Sequence, residues 1–146
     1  MDRTASQLAA LGLPVQLPVL ALRLTLQRLV MEAGANRDFA PSHHDPDYAR
    51  LRGADTAYAN PDFVAGFFER VLREYAGPAS VLVDLQFRLK RHALLGSTIR
   101  AGGQVAFLET GPDGQVVAVI DLWQRSDDTL TVVGRARVRL AAVTGR

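Results

Sequence analysis

The feature of this sequence that most constrains its fold is a change of hydrophobic period at Gly77-Pro78. Over residues 60–75 apolar side chains recur every three or four positions, which predicts a helix that begins with Asn60 as N-cap and Pro61 in its first turn. Over residues 81–89 apolar side chains occupy alternate positions, which predicts a long half-buried strand. The buried face of this strand is predicted to carry Val81, Val83, Leu85, Phe87 and Leu89. The chain must therefore bury one long helix against a sheet.

Three more strands are predicted after this one. Two lie near residues 98–110 and 115–124 and are joined by the turn-forming sequence Gly111-Pro112-Asp113-Gly114. The last runs from Thr129 to about Val143. Because the connections are short, neighbouring strands are predicted to be antiparallel.

Shorter elements are predicted before the long helix. Residues 15–24 are mostly apolar but contain Pro18, which is typical of a short strand at a sheet edge. Two short helices are predicted around a polar loop: residues 26–33, capped by Thr25 and ended by Gly34, and residues 46–52, capped by Asp45 and closed by Gly53.

These elements predict an α+β protein in which an antiparallel sheet covers one central helix. Two arrangements fit this order, the hotdog fold, whose sheet wraps around the helix, and a cystatin-like cone; the hydrophobic period does not separate them. We predict the hotdog fold, with Phe63, Phe67 and Phe68 in the core. With 146 residues (15.9 kDa), the chain is predicted to be a single domain, residues 1–146.

Composition excludes several classes of protein. The chain has no Cys, which excludes a disulfide framework, an Fe–S cluster, a thiolate zinc site and a cysteine nucleophile. No apolar run approaches the ~18 residues of a membrane helix and residues 1–14 lack a signal-peptide pattern, so we expect a cytoplasmic protein without membrane association. Its 17 Lys and Arg are scattered and balanced by 15 Asp and Glu, so we expect no nucleic-acid partner.

The segment from Arg37 to Arg50, RDFAPSHHDPDYAR, carries the strongest functional signal. It resembles the signature of the MaoC-like family, the type 2 enoyl-CoA hydratases, whose loop carries an Asp, a Pro and a His in this order and spacing. Together with Tyr75-Ala76-Gly77-Pro78, it is most similar to the small hydratase subunits of actinobacterial steroid side-chain degradation. The resemblance covers nearly the whole chain, because the flanking helices and strands fall where that hotdog family places them.

The chemistry of hydration is consistent with the residues of this loop. Adding water to an enoyl thioester requires a base for the water, an acid for the α-carbon and stabilisation of the enolate. Asp38 and His43 would diverge by about 140° on a helix, but a loop turned by Pro41 can bring both to one water. An imidazole beside a carboxylate suits acid–base work near neutral pH.

The resemblance implies an enzyme of lipid metabolism, an enoyl-CoA hydratase (a hydro-lyase) in which Asp38 and His43 activate water for syn addition and give the (3R)-hydroxyacyl product. It implies no metal or organic cofactor, with the coenzyme A thioester as substrate. It also implies an oligomer, either a homodimer or a heteromer with a second MaoC-like subunit. The alternative of a zinc site made by His43, His44, Asp45 and Asp47 lacks the usual ligand spacing.

One position departs from the family pattern. Its members usually open the long helix with a His-Gly pair whose Gly N–H binds the thioester oxygen, whereas this chain has Asn60-Pro61 there, and proline has no N–H. Asn60 or the amide of Asp62 would have to replace that donor at the positive end of the helix. Tyr58, Phe39 and His44 are further candidates to line the substrate pocket.

Cations for the coenzyme A phosphates are harder to assign from the sequence. Arg135, Arg137 and Arg139 share one strand face, as do Arg88 and Lys90. Each set fits either an ordinary solvated face or a phosphate contact. Two other functions also remain open: a noncatalytic hotdog subunit that supports a partner chain, suggested by Pro61, and a thioesterase, which the same fold can host.

Overall fold

The computed structural model describes residues 4–141. The helices are α1 (Ala5–Leu11), α2 (Leu26–Asn36), α3 (Pro46–Leu51) and α4 (Pro61–Ala76), with a 3₁₀ turn at Pro41–His43. The strands are β1 (Val15–Gln16), β2 (Leu20–Arg23), β3 (Val81–Leu89), β4 (Thr98–Thr110), β5 (Val116–Ser126) and β6 (Thr129–Arg139). This is the predicted α+β order, except that α1 was not predicted and the first predicted strand, residues 15–24, is divided into β1 and β2.

Within residues 4–141 the strands form one antiparallel sheet in the order β1-β4-β5-β6-β3, and β2 also pairs with β4. The break between β1 and β2 contains Pro18, which cannot donate a hydrogen bond to a neighbouring strand. Strand β3 pairs only with β6 among the described strands, so its other edge is open.

Helix α4 supplies the centre of the core. Asn60 caps it through a hydrogen bond that its side chain accepts from the Phe63 amide, and Pro61 occupies the first turn. The buried side of the helix packs against the sheet; for example, the rings of Phe68 and Phe87 meet edge to face at 6.1 Å. The predicted aromatic core is therefore present, although Phe63 is only half-buried.

The predicted buried face of β3 is partly wrong. A bulge between Leu82 and Asp84 places one extra residue opposite β6, and the alternation changes phase there. Leu82, Leu85 and Phe87 pack against the core, whereas Val81 is 42% and Val83 50% exposed. Leu89, predicted inward, is also exposed at the strand end.

Helix α2 is longer than predicted. It passes through Gly34 and stops after Asn36, because Arg37 adopts the left-handed conformation (φ 58°) and its amide bonds the carbonyls of Ala33 and Gly34. The sequence did not indicate α1, which begins with Thr4 as its cap.

The other boundaries agree more closely with the predictions. Asp45 caps α3 as predicted, and that helix ends at Leu51, just before Gly53 with φ 91°. The last strand stops at Arg139, and its predicted end near Val143 lies outside the described residues. No helix within residues 4–141 has the length and apolar character needed to cross a membrane.

Candidate active site

The left-handed turn at Arg37 starts the loop that carries the two candidate catalytic residues. The amide of Asp38 donates to the Ala33 carbonyl, and the 3₁₀ turn at Pro41–His43 then brings the chain back. As a result the Oδ2 atom of Asp38 lies 3.4 Å from Nε2 of His43. Residues five positions apart therefore face the same small volume, as a loop permits and a helix does not.

The protonation of the His43 ring follows from its partner. Its Nδ1 atom lies 2.9 Å from the backbone carbonyl oxygen of Tyr58, which can only accept, so Nδ1 carries the hydrogen. In the neutral ring Nε2 is then free of hydrogen and faces Asp38. The Tyr58 carbonyl is itself held in place, because residues 57–59 pair with residues 93–95 in a short antiparallel ladder.

Asp38 is held as a carboxylate. The Nδ2 atom of Asn60 donates to Asp38 Oδ2 at 2.8 Å, and this hydrogen bond is the main reason that the pKa of Asp38 lies below its usual value. Burial opposes this hydrogen bond by raising the pKa, and the Ala40 amide and the nearby imidazoles of His43 and His44 each lower the pKa by a smaller amount. At neutral pH Asp38 is therefore an anion beside an imidazole.

Asn60 links this carboxylate to the start of α4. It is fully buried, and its Oδ1 atom accepts from the Phe63 amide at 2.8 Å while its Nδ2 atom binds Asp38. The sequence identified Asn60 as a helix cap and a candidate substrate donor. The structure adds that its amide orients Asp38.

A cavity of about 240 Å³ opens beside His43. Tyr58 forms part of its wall, with its ring edge to face with His43 at 5.0 Å and stacked on His92 at 3.8 Å. Pro61 lies at the same wall, at the start of α4. The remaining lining residues are Ala59, Val64, Leu89, Arg91, Ala93, Gln124 and Val132. The cavity is mostly apolar, and of the candidate dyad His43 lines it while Asp38 does not.

A larger cleft of about 650 Å³ adjoins this cavity, because Leu89, Arg91 and His92 line both. Its wall carries two cations, Lys90 and Arg91, and two carboxylates, Asp55 and Asp127. A group bound in the cleft would therefore meet exposed cations next to the cavity of His43.

The arginine face of β6 is used differently. Arg135 pairs with Asp121 on the neighbouring strand β5 at 2.7 Å, and Arg137 reaches past β5 to Glu109 on β4 at 2.8 Å. These are ordinary surface ion pairs. Of the cations that the sequence proposed for phosphates, Lys90 is the one that lines the cleft beside the cavity.

Besides Asp38 and Asn60, three other predicted site residues do not line the cavity. Phe39 is 67% exposed. Asp62 lines a separate depression with Glu32 and Asn36, on another side of α4. His44 is half-buried and contributes to the lowered pKa of Asp38.

Sequence reasoning missed Glu32, whose pKa is raised to about 7 by burial and by the negative charges of Asp62 and Asp38. It also missed His92 and Gln124, both of which line the cavity. Only the folded chain brings these residues near Asp38 and His43. No group of three or more metal-ligating side chains occurs among residues 4–141.

The chain has the hotdog fold of the MaoC-like hydratases, which decides between the two folds that the sequence left open. The structure is similar to a chain of the ChsH1–ChsH2 complex of Mycobacterium tuberculosis (TM-score 0.82, 23% identity, 89% of this chain and 98% of that one). It is also similar to an (R)-hydratase of A. caviae involved in PHA biosynthesis (TM-score 0.80, 20% identity, 89% and 97%).

One relative agrees with the resemblance that the loop indicates. Over 83 residues the chain is 30% identical to the beta subunit of the 3-oxo-4,17-pregnadiene-20-carboxyl-CoA hydratase of Mycobacterium tuberculosis, a match that spans 57% of this chain and 64% of that subunit. The predicted similarity to hydratase subunits of steroid side-chain degradation is thereby confirmed. No family model matches the chain.

Proposed function

We propose that this protein is an enoyl-CoA hydratase that adds water reversibly to a trans-2-enoyl thioester and forms the (3R)-hydroxyacyl product. The observation that carries the proposal is the 3.4 Å approach of Asp38 Oδ2 to Nε2 of His43, whose ring lines a mostly apolar cavity. The Asp38 carboxylate and the unprotonated Nε2 of His43 can both accept hydrogen bonds from one water, as the activation of that water requires.

The protonation states assign a role to each group. His43 Nε2 takes a proton from a water as the water oxygen bonds to C3 of the substrate, and the imidazolium returns that proton to C2 on the same face. Asp38 stays ionised, because Asn60 holds its pKa low, and it stabilises the imidazolium. Asp38 therefore orients the water and stabilises the charged ring, and His43 moves the proton.

The chemistry needs no redox centre and no metal, so we propose that the protein works without a metal or organic cofactor. The coenzyme A thioester is proposed as substrate because the cleft with its two exposed cations adjoins the cavity. Lys90 and Arg91 would meet its phosphates there, and the acyl group would enter the cavity past Leu89 and His92.

The size of the cavity bears on the acyl group. At about 30 Å³ for each water-sized group, 240 Å³ holds about eight non-hydrogen atoms. A steroid acyl group, such as the one in the name of the relative, is larger than that. We therefore propose that such a substrate would need a tunnel completed by a second subunit.

We propose a heteromer with a second MaoC-like chain in preference to a homodimer. The open edge of β3, with Val81 and Val83 exposed beside it, offers backbone groups and apolar surface to another sheet. The names of two similar proteins, a beta subunit and a chain of a two-component complex, support this proposal.

A noncatalytic subunit is the second candidate function, and Pro61 is the observation that favours it. At the start of α4 Pro61 supplies no N–H, and the Phe63 amide is occupied by Asn60. The Asp62 amide makes no hydrogen bond within residues 4–141, so it is the remaining donor at this helix end for a thioester oxygen. Loss of one such donor can cost ~10²–10³ in rate.

The test is the loss of enoyl absorbance when purified protein is added to short, long and steroid-like enoyl-CoAs, with and without a candidate partner chain. The hydratase is supported if the native chain removes the enoyl absorbance and if Asp38→Asn or His43→Gln removes it at least ~10²-fold more slowly. Activity that requires the partner and is unchanged in both variants supports the noncatalytic subunit. Release of free thiol identifies a thioesterase instead.

A further inference from the structure

Gln124 on β5 is the one buried polar group of the cavity whose hydrogen bonds are incomplete among residues 4–141. It is fully buried, and its Nε2 atom donates to Thr131 Oγ1 at 3.2 Å. Its Oε1 atom has no hydrogen-bond partner within the described residues. A buried amide oxygen without a partner is unfavourable, so a donor is expected to reach it from within the cavity.

The orientation of the amide is fixed by Thr131. The hydroxyl hydrogen of Thr131 is donated to the backbone carbonyl of Gln124 at 3.1 Å, so its oxygen can only accept from the side chain. Nε2 therefore faces Thr131, and rotation of the amide would place two acceptors together. The free group of Gln124 is an acceptor, which calls for a ligand that donates.

The surroundings of Gln124 do not supply this donor. Val64, Ala93 and Val132 are apolar, and Nδ1 of His43 donates to the Tyr58 carbonyl. Gln124 lines the cavity but not the cleft, whereas Leu89, Arg91 and His92 line both. A thioester that enters from the cleft would thus bring its acyl group, not its pantetheine amides, to Gln124.

We propose that Gln124 determines acyl specificity: its Oε1 atom accepts a hydrogen bond from a hydroxyl on the acyl chain, so that the cavity favours hydroxylated acyl groups over plain alkyl groups. The inference rests on the proposed function for its assumption that the cavity receives the acyl group of a thioester. A buried acceptor discriminates strongly, because a ligand without a donor leaves it unpaired.

The test measures binding, so that it does not depend on catalysis. Calorimetry with the full chain compares hexanoyl-CoA with its 4-, 5- and 6-hydroxy derivatives, whose acyl groups match the cavity volume. The native chain is set against Gln124→Met, which keeps the length of the side chain without the amide, and Gln124→Leu is used if the Met variant does not fold. Thr131→Ser is the matched control, because it keeps the hydroxyl that orients the amide.

In the native chain and in Thr131→Ser, at least one hydroxy derivative is expected to bind about tenfold or more tightly than hexanoyl-CoA. In Gln124→Met this difference in affinity is expected to disappear. The inference would be overturned if the affinity ratio of hydroxy derivative to hexanoyl-CoA were the same in all three proteins, as expected when a water satisfies Gln124. It would also be overturned if no acyl-CoA bound. Enoyl hydration is measured separately. Hydration without the Gln124 effect leaves the hydratase standing, and the Gln124 effect without hydration supports the inference while it refutes catalysis.

Discussion

Replacement of Asn60 tests how the site is built, because this buried side chain performs two tasks. It caps α4 through Oδ1, and it fixes Asp38 through Nδ2. Loss of an Asn cap costs about 1 kcal/mol. Loss of a hydrogen bond to a carboxylate costs about 1.5–3 kcal/mol when fully buried, and we use about 1 kcal/mol because Asp38 is 30% exposed.

Asn60→Ala is therefore expected to lower the free energy of unfolding by about 2 kcal/mol, or about 4–8 °C in Tm for a domain of this size. Asn60→Ser is the matched control, since serine caps a helix as well as asparagine but is too short to replace the amide donor. It is expected to lose about half as much stability, while it raises the pKa of Asp38 as fully as alanine does.

The assay is thermal unfolding combined with NMR titration of the Asp38 carboxyl carbon. Because the folded-state pKa of Asp38 is depressed, its contribution to stability is present above its unfolded value near 3.8 and is lost as the pH falls through the folded value. The stability gap between native protein and Asn60→Ser should therefore be larger at pH 7 than at pH 3. An Asp38 pKa that is the same in native protein and Asn60→Ser would refute this reasoning.

Two other predictions concern the pKa of Glu32 and the two cations of the cleft. Because burial and nearby carboxylates raise the Glu32 pKa to about 7, the free energy of unfolding should fall as the pH rises from about 4.5 through 7. Glu32→Gln should therefore raise Tm at pH 8 by about 2–4 °C (about 1 kcal/mol after solvent screening) and leave Tm unchanged at pH 5. A rise in Tm at pH 5 alone would contradict a raised Glu32 pKa as its cause. The double variant Lys90→Ala/Arg91→Ala should raise KM for an enoyl-CoA about tenfold or more with little change in kcat. Arg135→Ala, which removes a surface ion pair, should leave both constants unchanged. Steady-state kinetics at two salt concentrations measures both effects.

The sequence was most informative where structure is encoded locally. The start of α4 at Asn60-Pro61 and the cap of α3 at Asp45 were predicted correctly, because a cap and the following proline are neighbours in the chain. The bulge in β3 was missed because it exists only relative to β6, and a single extra residue changed which side chains face the core. The end of α2 was misplaced because Arg37, not Gly34, adopts the left-handed conformation.

The candidate site shows the same division. The motif indicated Asp38 and His43, and the structure brings them within 3.4 Å. It did not indicate that Asn60 binds Asp38 across 22 positions, nor that Gln124 and His92 line the same cavity from distant elements. Such contacts depend on how α4, β5 and the loop after β3 pack together, which hydrophobic period does not encode.

Product analysis in D₂O tests whether Asp38 and His43 carry out a syn hydration. An enoyl-CoA is incubated with the native protein, with its partner chain if activity requires one, and the product is examined by NMR and chiral analysis. We expect a (3R)-hydroxyacyl product with one deuteron at C2 on the face that received the hydroxyl, formed at least ~10²-fold more slowly by Asp38→Asn. A (3S) product, anti addition, or an undiminished rate in Asp38→Asn would contradict this expectation.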